Sequence, residues 1–82
     1  MAKVYTIEKT RRGRTTTYTG TIEELTKTFA YTLDCGHSWN SRISTKPRTV
    51  TALVNSLDRC VDELQGGCFE RDSYRYVAET SA

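Results

Sequence analysis

The order in which apolar and polar side chains follow one another divides the chain into five segments. From Lys3 to Thr10 the sequence K-V-Y-T-I-E-K-T alternates aromatic or β-branched residues with polar ones, and T-T-T-Y-T from Thr15 to Thr19 does the same. A period of two in these residue types predicts two strands. R-R-G-R between them supplies a glycine for a tight turn, so the pair is expected as a β-hairpin with Arg11, Arg12 and Arg14 at its tip. After Gly20 the period lengthens. Ile22, Leu25, Phe29 and Leu33 fall at steps of three and four with Glu23, Glu24 and Lys27 turned outward, which predicts a helix. Thr21 followed by Glu24 has the spacing of a capping box and marks its start. Gly36 suits the left-handed residue that closes a helix, so the end is expected near Cys35.

An irregular stretch then leads to Pro47, whose fixed φ and missing N–H suit a first helical turn. Val50, Leu53, Val54, Leu57, Val61 and Leu64 make a second apolar stripe with Cys60 beside them. Asp58, Arg59, Asp62 and Glu63 occupy the other face, and Gly66 with Gly67 is expected to stop the helix. From Ser73 to Glu79 the sequence places Tyr74, Tyr76 and Ala78 on one face and Arg75 and Val77 on the other, a third strand. Two amphipathic stripes must be buried against something. The expectation is a small α+β domain of order β-β-α-α-β, a three-stranded antiparallel sheet packed against an antiparallel helix pair. Tyr5, Ile7, Tyr18, Tyr74 and Val77 are the candidate core-facing sheet residues, with the buried face left open.

Composition narrows this reading without redirecting it. At 82 residues the chain is one domain, 1–82, close to the lower limit for a fold held by one apolar core. Hydrophobic residues at 37% and charged residues at 27% belong to a folded globule. The start M-A-K-V-Y-T has no apolar segment of signal-peptide length, and no stretch approaches a membrane span. The expected location is therefore the cytoplasm, with no membrane partner. The net charge of +2 is unevenly placed: residues 1–19 carry five bases and one acid, and the remainder seven bases and nine acids. A basic end on an acidic body points to an anionic partner for that end. Arg11, Arg12 and Arg14 in the hairpin, and Arg42, Lys46 and Arg48 between the helices, are the two cation clusters. If the fold joins them they form a phosphate-contacting surface with strong salt dependence. The spacing argues against a helix-turn-helix, because that motif needs a turn of 3–4 residues and here about a dozen separate the helices.

The segment T-L-D-C-G-H-S-W-N holds the only concentration of chemistry-bearing side chains. Three cysteines, Cys35, Cys60 and Cys68, are an odd count without secretory context, which argues for reduced thiols. Paired zinc ligands usually stand two to four residues apart, whereas Cys35-x-His37 is too close and Cys60 to Cys68 too far, so neither metal nor other cofactor is expected. A Cys35/His37 nucleophile pair is disfavoured as well: a helix C-terminus and Asp34 both oppose thiolate formation. With no assembled nucleophile and base, no enzyme is expected. The remaining reading is a helix stop, with Trp39 folded over the end of the apolar stripe as a lid or serving as an interface anchor. Asp34 in a last helical turn opposes the macrodipole and calls for a partner such as Arg42, Arg48 or His37. That local conflict makes Asp34, His37, Trp39 and Asn40 a candidate binding patch.

The string Y-T-G-T-I-E-E-L-T-K-T-F-A-Y-T-L-D-C-G-H-S-W, followed by K-P-R-T-V-T-A-L-V-N-S-L, resembles a group of small accessory proteins encoded by tailed bacteriophages. The similarity covers roughly residues 18–64: Tyr-Thr-Gly-Thr, a helix ending in a Gly turn, and Pro-x-Thr opening a second helix. It implies a setting, not a mechanism: a protein of the host cytoplasm that binds and modulates a host macromolecule, a host protein first. The basic hairpin K-T-R-R-G-R is not part of the pattern, and a nucleic-acid-binding role for it is the alternative.

Overall fold

A computed structural model describes residues 3–66 and 71–81. Strands β1 (Lys3–Arg11) and β2 (Arg14–Gly20) pair antiparallel in continuous register from Tyr5↔Gly20 to Arg11↔Arg14. That register leaves Arg12 and Gly13 as the two turn residues, at φ 51° and 78°. Both values are positive, as a turn matching the right-handed twist of its strands requires. β3 (Ser73–Ser81) pairs antiparallel with the other side of β1, giving the order β2-β1-β3. Thr6 faces Ala78 but Ile7 faces Tyr76, so Val77 is an extra residue in a β-bulge. The bulge moves Ala78 off the face shared by Tyr74 and Tyr76. It also leaves Val77, expected in the core, 43% exposed. Directly opposed residues share a face, and the helix-facing side carries Tyr5, Ile7, Tyr18 and Tyr74. The other side bears threonines, with Thr6 bonded to Thr19 and Thr10 to Thr15, and an Arg75–Glu8 ion pair.

The helical layer has three segments: α1 (Ile22–Thr28), α2 (Ala30–Trp39) and α3 (Val50–Gln65). The capping box forms as expected, the Glu24 N–H donating to Thr21 Oγ1 at 3.2 Å and the Thr21 N–H to Glu24 Oε1 at 3.0 Å. These bonds hold the Glu24 carboxyl below its ordinary value. The single helix expected over this region is broken at Phe29, where ψ rises to 15°. The Thr28 hydroxyl donates back to the Glu24 carbonyl at 2.9 Å, a bond that bends helices. Phe29 itself is wedged between Tyr18 and Tyr74, at centroid distances of 4.9 and 5.6 Å and edge-on to both.

Gly36 does not end the helix, which runs on to Trp39. A Cβ built on Gly36 would stand 2.3 Å from Cys60 Sγ and 3.1 Å from Cys60 Cα. The glycine is the point where α2 touches α3, and its weak helix propensity is outweighed by that contact. Nearly one turn further, Asn40 Nδ2 donates to Glu63 Oε1 at 3.2 Å. The two contacts advance in the same direction along both helices, so α2 and α3 run in the same sense and not as the antiparallel pair expected. Residues 40–49 make this possible by doubling back along α2. The carbonyl of the buried Ile43 bonds His37, Lys46 lines a cleft together with Ala30 and Tyr31, and Pro47 lines its continuation together with Ile22. Pro47 lies ahead of the third helix instead of inside its first turn. The N-cap is Thr49, whose Oγ1 accepts from the Ala52 N–H at 3.1 Å. Gly66 follows the helix at φ −57°, stopping it without a left-handed residue, while Gly67 lies outside the described residues.

Ile7, Leu25, Phe29, Leu33, Ile43, Val50, Leu53, Val54, Leu57, Cys60, Val61 and Tyr74 form one buried cluster. Leu64, the last member of the α3 stripe, is 41% exposed. No described helix is long and apolar enough to cross a membrane.

Replacing Gly36 with Ala should lower stability by about 1–3 kcal/mol, since the methyl group overpacks the crossing. Cys60→Ala in that background should recover part of the loss, and a double-mutant cycle in urea measures the coupling. Burial raises the Cys60 thiol from 9.0 to about 11 and the Tyr74 hydroxyl from 10.0 to about 12. Both groups bind their protons more tightly when folded, so their contribution is complete below pH 9. It falls between 9 and 11 for Cys60 and between 10 and 12 for Tyr74. Urea midpoints should decline across this range, and Tyr74→Phe should flatten the upper half of the decline.

Candidate functional site

The helical extension to Trp39 rearranges the C-G-H-S-W segment. At about 100° per residue, Tyr31, Asp34, Ser38 and Trp39 lie on the half of α2 opposite Leu33 and Gly36, which face the core. Trp39 is 74% exposed and Tyr31 83%. Trp39 is therefore not the lid over the apolar stripe. With Gly36 able to touch Cys60, the helix continues and carries Trp39 out to solvent. Asp34 now sits mid-helix, which removes its conflict with the helix end. Among the described residues it makes no ion pair, and its carbonyl accepts from the Ser38 hydroxyl at 3.1 Å. Tyr31 went unrecognised in the sequence, although its position off the Ile22–Leu25–Phe29–Leu33 stripe was the available signal.

His37 and Asn40, placed in the same patch on sequence grounds, are engaged internally. His37 Nδ1 lies 2.8 Å from the Ile43 carbonyl, which can only accept, so Nδ1 carries the proton and pins the returning segment to α2. Asn40 caps α2, accepting from the Arg42 N–H at 3.0 Å while donating to Glu63. Beside Tyr31 runs a shallow cleft between α1, the start of α2 and the returning segment. It has two adjoining parts of about 390 and 350 Å³ that share Ala30, Thr45 and Lys46. The buried Thr26 Oγ1 beside it has no hydrogen-bond partner among the described residues.

Of the four side chains weighed as zinc ligands, Cys60 is fully buried against Gly36 and His37 has its Nδ1 taken. Cys68 lies outside the described residues. Among the described residues no three metal-ligating side chains cluster.

The basic hairpin forms a second surface. Lys9, Arg11, Arg12, Arg14, Thr16 and Tyr18 line an open recess of about 680 Å³. Arg42, Lys46 and Arg48 do not join it: the interhelix segment lies against α1 and α2, and Lys46 lines the cleft there. The recess is organised by Asp72, which the sequence reading passed over. Its side chain is only 6% exposed, with Lys9 Nζ at 3.7 Å from Oδ2 and Arg11 Nε at 3.3 Å from Oδ1. Gln65 Nε2 donates to Oδ2 at 3.3 Å, and the Asp72 N–H donates to Gln65 Oε1 at 2.9 Å. Oδ1 makes no aligned hydrogen bond among the described residues, and Arg11 holds it by charge. An acid just ahead of a strand is an ordinary sight in a sequence. Only the pairing of β3 with β1 sets this one between two cations. Arg14 makes no ion pair among the described residues, and Arg71 pairs with Asp62.

Desolvation raises the Asp58 carboxyl on α3 above its ordinary value, outweighing the opposite pull of the Tyr74 backbone.

Asp72→Asn keeps the shape but removes the charge that Lys9 and Arg11 share, and should cost about 1–3 kcal/mol in stability by thermal or urea melts. Comparison with known proteins returns no match, whether to a protein-family model, a curated protein or a solved structure.

Proposed function

We propose that this is a non-enzymatic binding protein that acts by docking the outer face of α2 onto another protein. The observation that carries this reading is the exposure of Trp39 and Tyr31, two large aromatic side chains about 12 Å apart along one short helix. In a domain this small, aromatic surface is normally spent on the core. Trp and Tyr are also the residue types that dominate interface energetics when buried by a partner. The helix beneath them is rigid, being fixed at Gly36 against Cys60 and at Asn40 against Glu63. A rigid platform reduces the ordering entropy of association. The adjoining cleft extends the contact area. The resemblance to phage accessory proteins rests on the sequence pattern of residues 18–64 alone, and on that reading the partner is a protein of a bacterial host.

A photo-crosslinking residue in place of Ser38, between the two aromatics, tests this in bacterial lysate. The expected result is a discrete adduct that is absent when the crosslinker replaces Thr17 on the open sheet face. With the partner purified, Trp39→Ala should weaken binding by about 30-fold or more while leaving the melting temperature unchanged, since a central aromatic anchor is worth about 2 kcal/mol or more. Adducts of equal yield from both positions would remove the reading.

A further inference from the structure

We infer that the recess on the β1–β2 hairpin is a second binding site, separate from the α2 face, and that it takes the backbone of single-stranded nucleic acid. Four cations line it, and the buried Asp72 lies behind two of them, Lys9 and Arg11. The register sets them on both walls. Lys9 stands opposite Thr16 and Arg11 opposite Arg14, so β1 contributes two cations about 7 Å apart along the strand, and β2 an arginine and a hydroxyl at the same spacing. Lys9 and Arg11 are held from beneath by the buried Asp72, which Gln65 fixes in turn. Their charge is presented on placed side chains, so less freedom is lost when a phosphate arrives.

At the inner end stands Tyr18. Its ring is half-buried and braced edge-on by Phe29 at 4.9 Å, so it cannot swing away. A fixed aromatic at the foot of a cationic groove is the combination single-strand binders use, bases stacking on the ring while the groove tracks the phosphates. The shape argues against a duplex. The cations line a concave surface that a flexible strand can enter and a rigid cylinder cannot. On the hairpin's outer face, where a ribbon lying in a groove would also present side chains, stand Thr10, Thr15, Thr17 and Glu8. A volume of about 680 Å³ exceeds the need of a single phosphate and falls in the range of nucleotide-sized ligands.

The test is fluorescence anisotropy of the whole protein with labelled oligothymidine of about 12 nucleotides, a length typical of single-strand sites. The expected result is binding at low ionic strength, with log K falling against log salt at a slope of about −2, as about three phosphate contacts on a single strand require. Arg14→Glu should weaken binding at least 10-fold. Arg59→Glu, the same charge change on the exposed side of α3, should change it less than 2-fold, a separation that bulk charge alone would not give. Trp39→Ala should leave it untouched, so the outcome is independent of docking through α2. The assignment is overturned by no binding at low salt, by equal losses from the two charge variants, or by equal affinity for duplex DNA. Competition by polyglutamate as effective as that by unlabelled oligothymidine would give the recess to acidic protein segments instead.

Discussion

How closely α2 can approach α3 governs the helical side of this fold. At Gly36 the two backbones come so near that a single methyl group would collide with the Cys60 thiol and press on its backbone. Close contact there lets Leu33 and Leu57 both reach zero exposure within a thin layer. It also sets the line of α2 beyond the contact, and so determines where Asn40 meets Glu63 and where the chain must turn back. The returning segment is tied down by His37 and sealed by Ile43. A glycine that costs the helix roughly 1 kcal/mol in propensity is thereby the residue around which the layer is arranged.

Much of this was legible beforehand, and the places where it was not share a cause. Strands, hairpin, capping box and the α3 stripe follow from local chemistry, because alternation, turn geometry and N-terminal capping each involve residues within a few positions of one another. Gly36 has two local meanings, helix stop and close packing, and what decides between them is Cys60, far along the chain. The same holds for the bulge at Val77, which depends on how β3 meets β1, and for Asp72, an acid of no special context until that pairing sets it beside Lys9 and Arg11. Among the candidate site residues, Arg11, Arg12 and Arg14 do converge, because a hairpin is local. Asp34 and Trp39 separate from His37 and Asn40 because the helix runs one turn further than its glycine suggested. Once the helix is extended, the exposure of Tyr31 follows from its angle alone.

The two surfaces differ in how they are supported. The α2 face rests on packing, with apolar side chains filling the space beneath it, so its aromatics are carried on a stiff rod. The hairpin recess rests on charge, with one shielded carboxylate steadying two of its cations. Salt will act on these unequally, since screening weakens contacts in the exposed recess and leaves aromatic burial nearly unchanged.

Pairing of β1 with β3 joins Lys3 to Ser81, near opposite ends of the described chain. The hairpin and helices can assemble from neighbours in sequence, but the sheet closes only when the last strand arrives. That closure must first overcome the entropy of bringing remote segments together, so it belongs late in folding. Until then one side of β1 is a bare ladder of amide and carbonyl groups beside an unfilled space where Tyr74 belongs. During synthesis on the ribosome this interval is when the young chain is most open to pairing with the wrong neighbour.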